Sequence, residues 1–359
     1  MFLKELHLNQ YKNFEMENFH FQKPINCFVG PNGRGKSNIL DAIYHLAYGK
    51  GYFNPQAVQN IQFQKDFFVL EGLFESSRGE EKIHCSLKKG HKKTIKYNGK
   101  TYRQITEHIG KIPVVMISPA DRDLITEGSA IRRKFMDGIL SQTTPGYLDQ
   151  LLVYNKILSQ RNALLKYFAV NRTFDPDTLE VYNEQMDGLG ADIFQARQKF
   201  IKEFQPIFEK HYKRISAGEE RAEIYYNSQL TEGSLEELFT ENLSRDRSLQ
   251  YSSVGIHKDD LSFLMNGENI KKFGSQGQQK TFLIAIKLTQ FECLKQATQT
   301  PPIILLDDAF DKLDQNRVSQ IIGLMKDEAF SQIFISDTHK ERTLEALQGA
   351  NMPYDIFEL

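Results

Sequence analysis

Apolar residues around Phe2, Leu6 and Leu8 fall on alternate positions, which predicts an opening strand, and Phe19 and Phe21 mark a second. Ile25-Asn26-Cys27-Phe28-Val29 is a short, nearly all-apolar run closed by glycine, the pattern of a strand buried on both faces. The period then lengthens. Ile39, Leu40, Ile43, Leu46 and Ala47 share one face of a helix predicted over 37–48. From Phe67 to Tyr102 the period of two returns, with apolar runs over 69–74, 83–87 and 94–97 before an Asn98-Gly99 turn, which predicts an antiparallel meander. Residues 112–117 form one more apolar strand, ended by Ser118-Pro119.

Beyond Asp121 the spacing becomes helical. Leu151, Tyr154, Leu158, Leu165 and Phe168 mark one stripe, and Leu179, Tyr182, Met186, Leu189, Ile193, Ala196, Phe200 and Phe204 a second. Residues 171–176 punctuate the two, and Pro206 is expected to end or kink the second helix. These stripes predict helices packed on one another, an arm without chemistry of its own. Strand-like segments return near Ile224 and include Ile303-Ile304-Leu305-Leu306 and Ile333-Phe334-Ile335. The expected organisation is an α/β nucleotide domain in two parts, 1–118 and 223–359, interrupted by a helical insertion at 119–222.

Composition narrows the class without naming a function. The chain has 359 residues, 40% hydrophobic and 25% charged, which suits about two soluble globular domains and excludes disorder or fibrous repeats. It lacks an apolar run long enough to span a membrane, and its first residues alternate like a strand rather than a leader, so a cytoplasmic location is expected. Cys27, Cys85 and Cys293 lack metal-ligand spacing and read as reduced thiols. A net charge of −1 means that any polyanion must be met by a local patch rather than by the whole surface.

The chemistry starts at Gly30-Pro31-Asn32-Gly33-Arg34-Gly35-Lys36-Ser37, which fits G-x-x-x-x-G-K-[ST] between a predicted strand and a predicted helix. The glycines let the backbone wrap around phosphates, and the helix start at Ser37 and Asn38 favours an anion. Lys36 is placed to reach the β and γ phosphates, and Ser37 to offer a hydroxyl to Mg²⁺. A second strand ends in Asp307-Asp308, about 270 positions after Lys36. Asp307 would hold Mg²⁺, and Asp308 would orient or deprotonate the attacking water. Such a spacing favours an ATPase with a large insertion over a compact kinase or GTPase. Between these motifs, Ser275-Gln276-Gly277-Gln278-Gln279-Lys280 opens a helical run. Alone it is a helix cap; between two nucleotide motifs it looks like the signature segment of ABC-type ATPases.

With these motifs together, the chain resembles, end to end, the RecF family, bacterial recombination-mediator ATPases of the SMC-like branch of ABC ATPases. The resemblance is carried by the signature at 275–280, by Asp307-Asp308, where most ABC ATPases have Glu second, and by Asp311-Lys312-Leu313-Asp314, similar to a D-loop. It is also carried by Ser118-Pro119, Arg132-Arg133, Asp137, Gln160-Arg161-Asn162 and Gly255-Ile256-His257-Lys258-Asp259-Asp260, in which Ile256 and Lys258 stand where Pro and Arg are expected. His339 is placed like a switch histidine at the γ-phosphate, whereas Gln56, Gln59 and Gln62 all remain open as the Q-loop glutamine.

The resemblance implies an ABC-type ATPase head with an antiparallel β subdomain and an inserted α-helical arm. It further implies a homodimer sandwiching two ATP molecules, with Ser275, Gly277 and Gln278 gripping the partner's nucleotide. Asp308, shorter than Glu by one methylene, sets the water-activating carboxylate further back, so slow hydrolysis is expected. Its stimulation by DNA, action at gapped or single-strand–double-strand DNA, and the partners RecR, RecO and RecA follow from the family alone. Lys88, Lys89, Lys92 and Lys93 cluster in the meander and suit either phosphate contacts on DNA or a solvated hairpin tip. Two rival readings are a membrane transporter's nucleotide subunit and a non-hydrolysing ATP-binding scaffold.

Overall fold

The computed structural model describes residues 1–216, 220–308, 332–348 and 352–359. The chain divides into two compact units, Met1–Asp121 with Ile286–Leu359, and Arg122–Ala285.

In the first unit, β1 (Phe2–Tyr11) and β2 (Phe14–His20) form a hairpin, and β3 (Ile25–Val29) is buried at every position. Strands β4 (Phe67–Ser76), β5 (Gly79–Lys88), β6 (Thr94–Tyr97) and β7 (Lys100–Thr101) extend the hairpin into an antiparallel sheet of order β2-β1-β4-β5-β6-β7. Alternation does what the pattern requires: Phe68, Leu70 and Phe74 of β4 and Ile83, Cys85 and Leu87 of β5 all point into the core. Asn98 and Gly99 both have positive φ, the backbone a two-residue hairpin needs. After this meander comes β8 (Val114–Ile117). The helix Lys36–Tyr48 buries all five residues of its predicted stripe in a core shared by both sheets of the unit. Each such buried Ile or Leu is worth about 1.5–3 kcal/mol over exposure.

The second unit is built on helices Ser129–Thr143, Tyr147–Asn171 and Pro176–Ile215. Asp175 caps the last of these, accepting from the amides of Asp177 (3.1 Å) and Thr178 (3.3 Å), with Pro176 at the first helical position. Of the two expected outcomes at Pro206, an end or a kink, the end does not occur; the helix runs on to Ile215. One lost backbone bond is offset because Phe204, Phe208 and Tyr212 bury on either side of it, the latter two against Phe282. The unit also holds the antiparallel strands β9 (Ala222–Asn227), β10 (Asp260–Met265) and β11 (Glu268–Asn269), and so continues to Ala285, well past the boundary at 222 expected from the pattern. The cause is pairing: β9 and β10 bond each other, and β9 packs on helix Pro176–Ile215.

Two buried ion-pair networks hold this unit together. Arg197 donates to Asp259 (2.7 Å), to Asp137 (2.9 Å) and to the Ile256 carbonyl (2.7 Å). Arg161, fully buried, donates to Asp246 and Ser252 (both 2.7 Å) and to Asn183 (2.8 Å), with its guanidinium over the Phe239 ring. Asn162 accepts from the Ser252 amide at 2.7 Å. Asp137, Asp259 and Arg161-Asn162, noted above as motif residues, thus have structural partners here.

The chain re-enters the first unit in the helix Gln276–Thr298, then adds β12 (Ile303–Leu306), β13 (Ile333–Asp337) and β14 (Tyr354–Glu358). These complete a wholly parallel sheet of order β14-β3-β13-β12-β8. Asp311, Lys312, Leu313 and Asp314, the D-loop expectation, lie outside the described residues.

Candidate nucleotide-binding site

The parallel sheet points the C-terminal ends of the phosphate-loop strand β3 and the acid-bearing strand β12 the same way, with only β13 between them. Residues 30–35 leave β3 and lead into helix Lys36–Tyr48. None of the amides of residues 32–37 donates to a backbone acceptor among the described residues, which leaves a row of N–H groups for an anion at the helix start. Gly35 has φ 104°, and a Cβ there would meet the Asn13 amide nitrogen at 2.5 Å and the Phe14 ring at 2.7 Å. Only glycine fits.

Lys36 is nearly buried, its ammonium folded over the loop onto the carbonyls of Gly30 (2.7 Å) and Pro31 (2.9 Å). Pro31, Asn32, Gly33 and Arg34 are exposed, and Ser37 is half-buried with Asn38 beside it. Asn13, in the β1–β2 turn, was not singled out by sequence. Its amide donates to the Arg34 carbonyl at 3.1 Å and accepts from Asn38 at 2.7 Å, clamping the loop from outside. Gln62 donates to the Asn13 carbonyl at 3.4 Å, whereas Gln56 and Gln59 pair with each other at the surface. Behind the loop helix lies a buried polar cluster in which Lys12 pairs with Asp41 and the Tyr11 hydroxyl sits 3.2 Å from His45. Burial, and after it the charges of Lys93 and Lys12, push His45 down to about 3, so its ring is neutral at physiological pH.

Asp307 follows β12 and is almost buried, its amide bonded to the Ile117 carbonyl at 2.9 Å. A second residue missed by sequence fixes the acids: Ser336, fully buried in β13, donates to the Asp307 carboxylate at 2.7 Å and accepts from the Asp308 amide at 2.9 Å. Asp308 has φ 44°, in the left-handed region that short polar side chains tolerate better than long ones. That gives a local backbone reason for Asp rather than Glu.

His339 is exposed and, with Thr338, faces Gly30 and Pro31 across a cleft of about 280 Å³. Buried Asp337 sets this turn by accepting from the Thr338 amide (2.8 Å), Arg342 (2.9 Å) and Thr343 (2.9 Å). The signature residues belong to the second unit. There Ser275 and Gln278 form a reciprocal cap: the Ser275 oxygen accepts from the Gln278 amide (3.2 Å), and the Gln278 side chain accepts from the Ser275 amide (2.7 Å). Gly277 lies in the first turn of that helix, half-buried.

Lys88, Lys89 and Lys92 are exposed, with Lys89 3.6 Å from Asp66. Lys93 differs from its neighbours: it is half-buried and donates to the Gly49 carbonyl at the end of the loop helix. Arg132 and Arg133 are likewise engaged, by Asp260 (2.7 Å) and the Asp259 carbonyl (2.6 Å). Among the described residues, no helix is long and apolar enough to cross a membrane, and no group of three or more His, Cys, Asp or Glu is placed to hold a metal ion.

The RecF/RecN/SMC N-terminal domain family matches residues 2–357. The DNA replication and repair protein RecF of Flavobacterium johnsoniae is 56% identical over 359 residues, covering all of both chains. That of Phocaeicola vulgatus is 45% identical, covering 99% of this chain and 96% of its own. A solved RecF-ATP structure, described as a recombination mediator protein in the RecFOR pathway, superposes with a TM-score of 0.88 at 33% identity over 94% of this chain and 92% of that one. An SMC head bound to ScpA shares the fold at 14% identity, with a TM-score of 0.56 over 96% of this chain and 92% of that one.

Proposed function

Because the chain belongs to the RecF family of SMC-like, ABC-type ATP-binding proteins, we propose that it is a DNA repair and replication ATPase that dimerises on ATP at gapped DNA and is released by slow hydrolysis. The observation that carries this reading is the loop at 30–37, with inward Lys36 and amides that have no backbone acceptor among the described residues, beyond the C-terminal ends of the same parallel sheet as the paired acids. These groups suit a triphosphate. Ser37 and Asp307 would supply two oxygen ligands to Mg²⁺, the rest coming from phosphate and water, since the described residues offer no acidic cage. Bound Mg²⁺ would neutralise charge on the phosphates.

Each residue then has a task. Lys36 binds the β and γ phosphates, the loop amides orient them, and Asp308 orients and takes a proton from the attacking water. Ser275, Gly277 and Gln278 would meet the nucleotide of a second copy, so that ATP favours the dimer by mass action. His339 would report the γ-phosphate from beside Gly30. Action at single-strand–double-strand junctions and work with RecR, RecO and RecA rest on family membership. A cytoplasmic site of action goes with these roles. Sedimentation velocity of the full chain with ATP, ADP and a gapped duplex is the direct test: dimers on ATP and DNA support the reading, and strict monomers in every condition reject it.

Ser336 is expected to matter through the acids it positions. Ser336→Ala should lower the turnover number about tenfold with little change in the KM for ATP, and Ser336→Thr should recover most of it. A matching rise in KM would instead indicate a damaged phosphate loop.

For DNA, replacing Lys88, Lys89 and Lys92 together by Ala should reduce the slope of log affinity against log salt by about two to three. Lys93→Ala should leave that slope alone and lower the melting temperature, because this ammonium holds the Gly49 carbonyl. An unchanged slope in the triple variant would move the duplex contact off the meander.

A further inference from the structure

The end of the helical arm carries an open cleft of about 510 Å³, walled by the last turn of helix Tyr147–Asn171, the residues after it, and helix Leu243–Leu249. Its floor is aromatic. Phe168 is buried and meets Phe174 edge to face at 5.5 Å between ring centres. Over the Phe174 ring, 4.0 Å from its centre, lies the guanidinium of Arg247, which is exposed on its outer side. Arg172 stands at the rim, and Ser244 and Ser248 add hydroxyls. Neither Arg172 nor Arg247 has a carboxylate partner among the described residues, and no acidic residue lines the cleft. This contrasts with Arg132, Arg161 and Arg197 of the same unit, each tied to an aspartate.

Unpaired cations beside an apolar floor call for a ligand that is both anionic and flat. A guanidinium already stacked on an aromatic ring offers its second face to a planar base, while Arg172 and the hydroxyls suit the adjoining phosphate. Stacking of this kind needs a base free of its duplex and ignores sequence. We propose that this cleft holds one unstacked nucleotide of single-stranded DNA, giving the arm a single-strand contact separate from the lysines of the meander. The proposal rests on the DNA reading above and deepens it, by assigning the single-stranded side of a junction to a place on the chain.

Fluorescence anisotropy with the full chain tests it, using labelled oligo(dT), the same strand carrying abasic sites, and a blunt duplex. Arg247→Ala should weaken oligo(dT) binding about tenfold and leave the duplex within about twofold. Arg247→Lys keeps the charge and loses the plane, so it should bind oligo(dT) no better than the abasic strand. If both variants bind oligo(dT) as the wild type does, and both melt as the wild type does, the inference is overturned. It is also overturned if wild type shows no preference for bases over abasic sites and a poly-glutamate peptide displaces the strand through Arg247; the cleft then receives acidic protein segments. Wild type that binds neither strand nor duplex would instead bring down the DNA reading itself.

Discussion

The Asp308→Asn protein should form ATP-dependent dimers as the wild type does while its hydrolysis rate falls about a hundredfold or more. The exchange removes a proton acceptor while keeping the size and shape of the side chain. At φ 44° the backbone is in the left-handed region, where Asn is as well tolerated as Asp, so the local fold and the Ser336 hydrogen bond to the amide are kept. Loss of a general base commonly costs a factor of 10² to 10⁴, which is the range expected here. Sedimentation velocity and single-turnover hydrolysis, run on the same preparation, separate the two properties. Retained dimers with unaltered turnover would take Asp308 out of the water-activating role. Because Asp is one methylene shorter than Glu, its carboxylate reaches less far toward the nucleotide. Slow hydrolysis in the wild type, suited to a timer, is expected on that ground.

Asp246→Ala should cost the second unit about 3–5 kcal/mol, read as a lower denaturant midpoint. The alanine leaves Arg161 fully buried with its main counter-charge gone, and also takes the acceptor from the amide and hydroxyl of Ser253. An uncompensated interior charge is the penalty, rather than the pair's own attraction, since two desolvated ions gain little over well-packed apolar groups. The double variant Asp246→Ala with Arg161→Met should therefore be more stable than Asp246→Ala alone. A double variant that is less stable than either single change would show that Arg161 contributes through its other bonds, to Asn183 and Ser252, more than through charge.

How much of this was legible beforehand differs by element. The strand, loop and helix around Lys36 follow the apolar pattern almost residue for residue, because burial on both faces of β3 and on one stripe of the helix is written in local order. The meander and β12 were equally readable. The cap at Ser275 and Gln278 has a local spelling too, since its two partners are three residues apart. Asn13 and Ser336 had no such signal. Each is an ordinary polar residue whose partner, Arg34 or Asp307, lies more than twenty positions away at no characteristic spacing. Lys93 looked like its neighbours until its ammonium met the Gly49 carbonyl.

The sequence by itself determined the strand, helix and meander pattern of the first 118 residues and the eight residues that fit a phosphate loop, because periodicity and the glycine requirement at positive φ act within a few residues. Only the tertiary structure decided that Pro206 stays inside its helix, that residues 223–285 pack with the arm, and that Ser336 joins the two acids. Those outcomes depend on which surfaces meet after the chain has folded back, and contact between distant residues leaves no fixed interval in the sequence from which to read it.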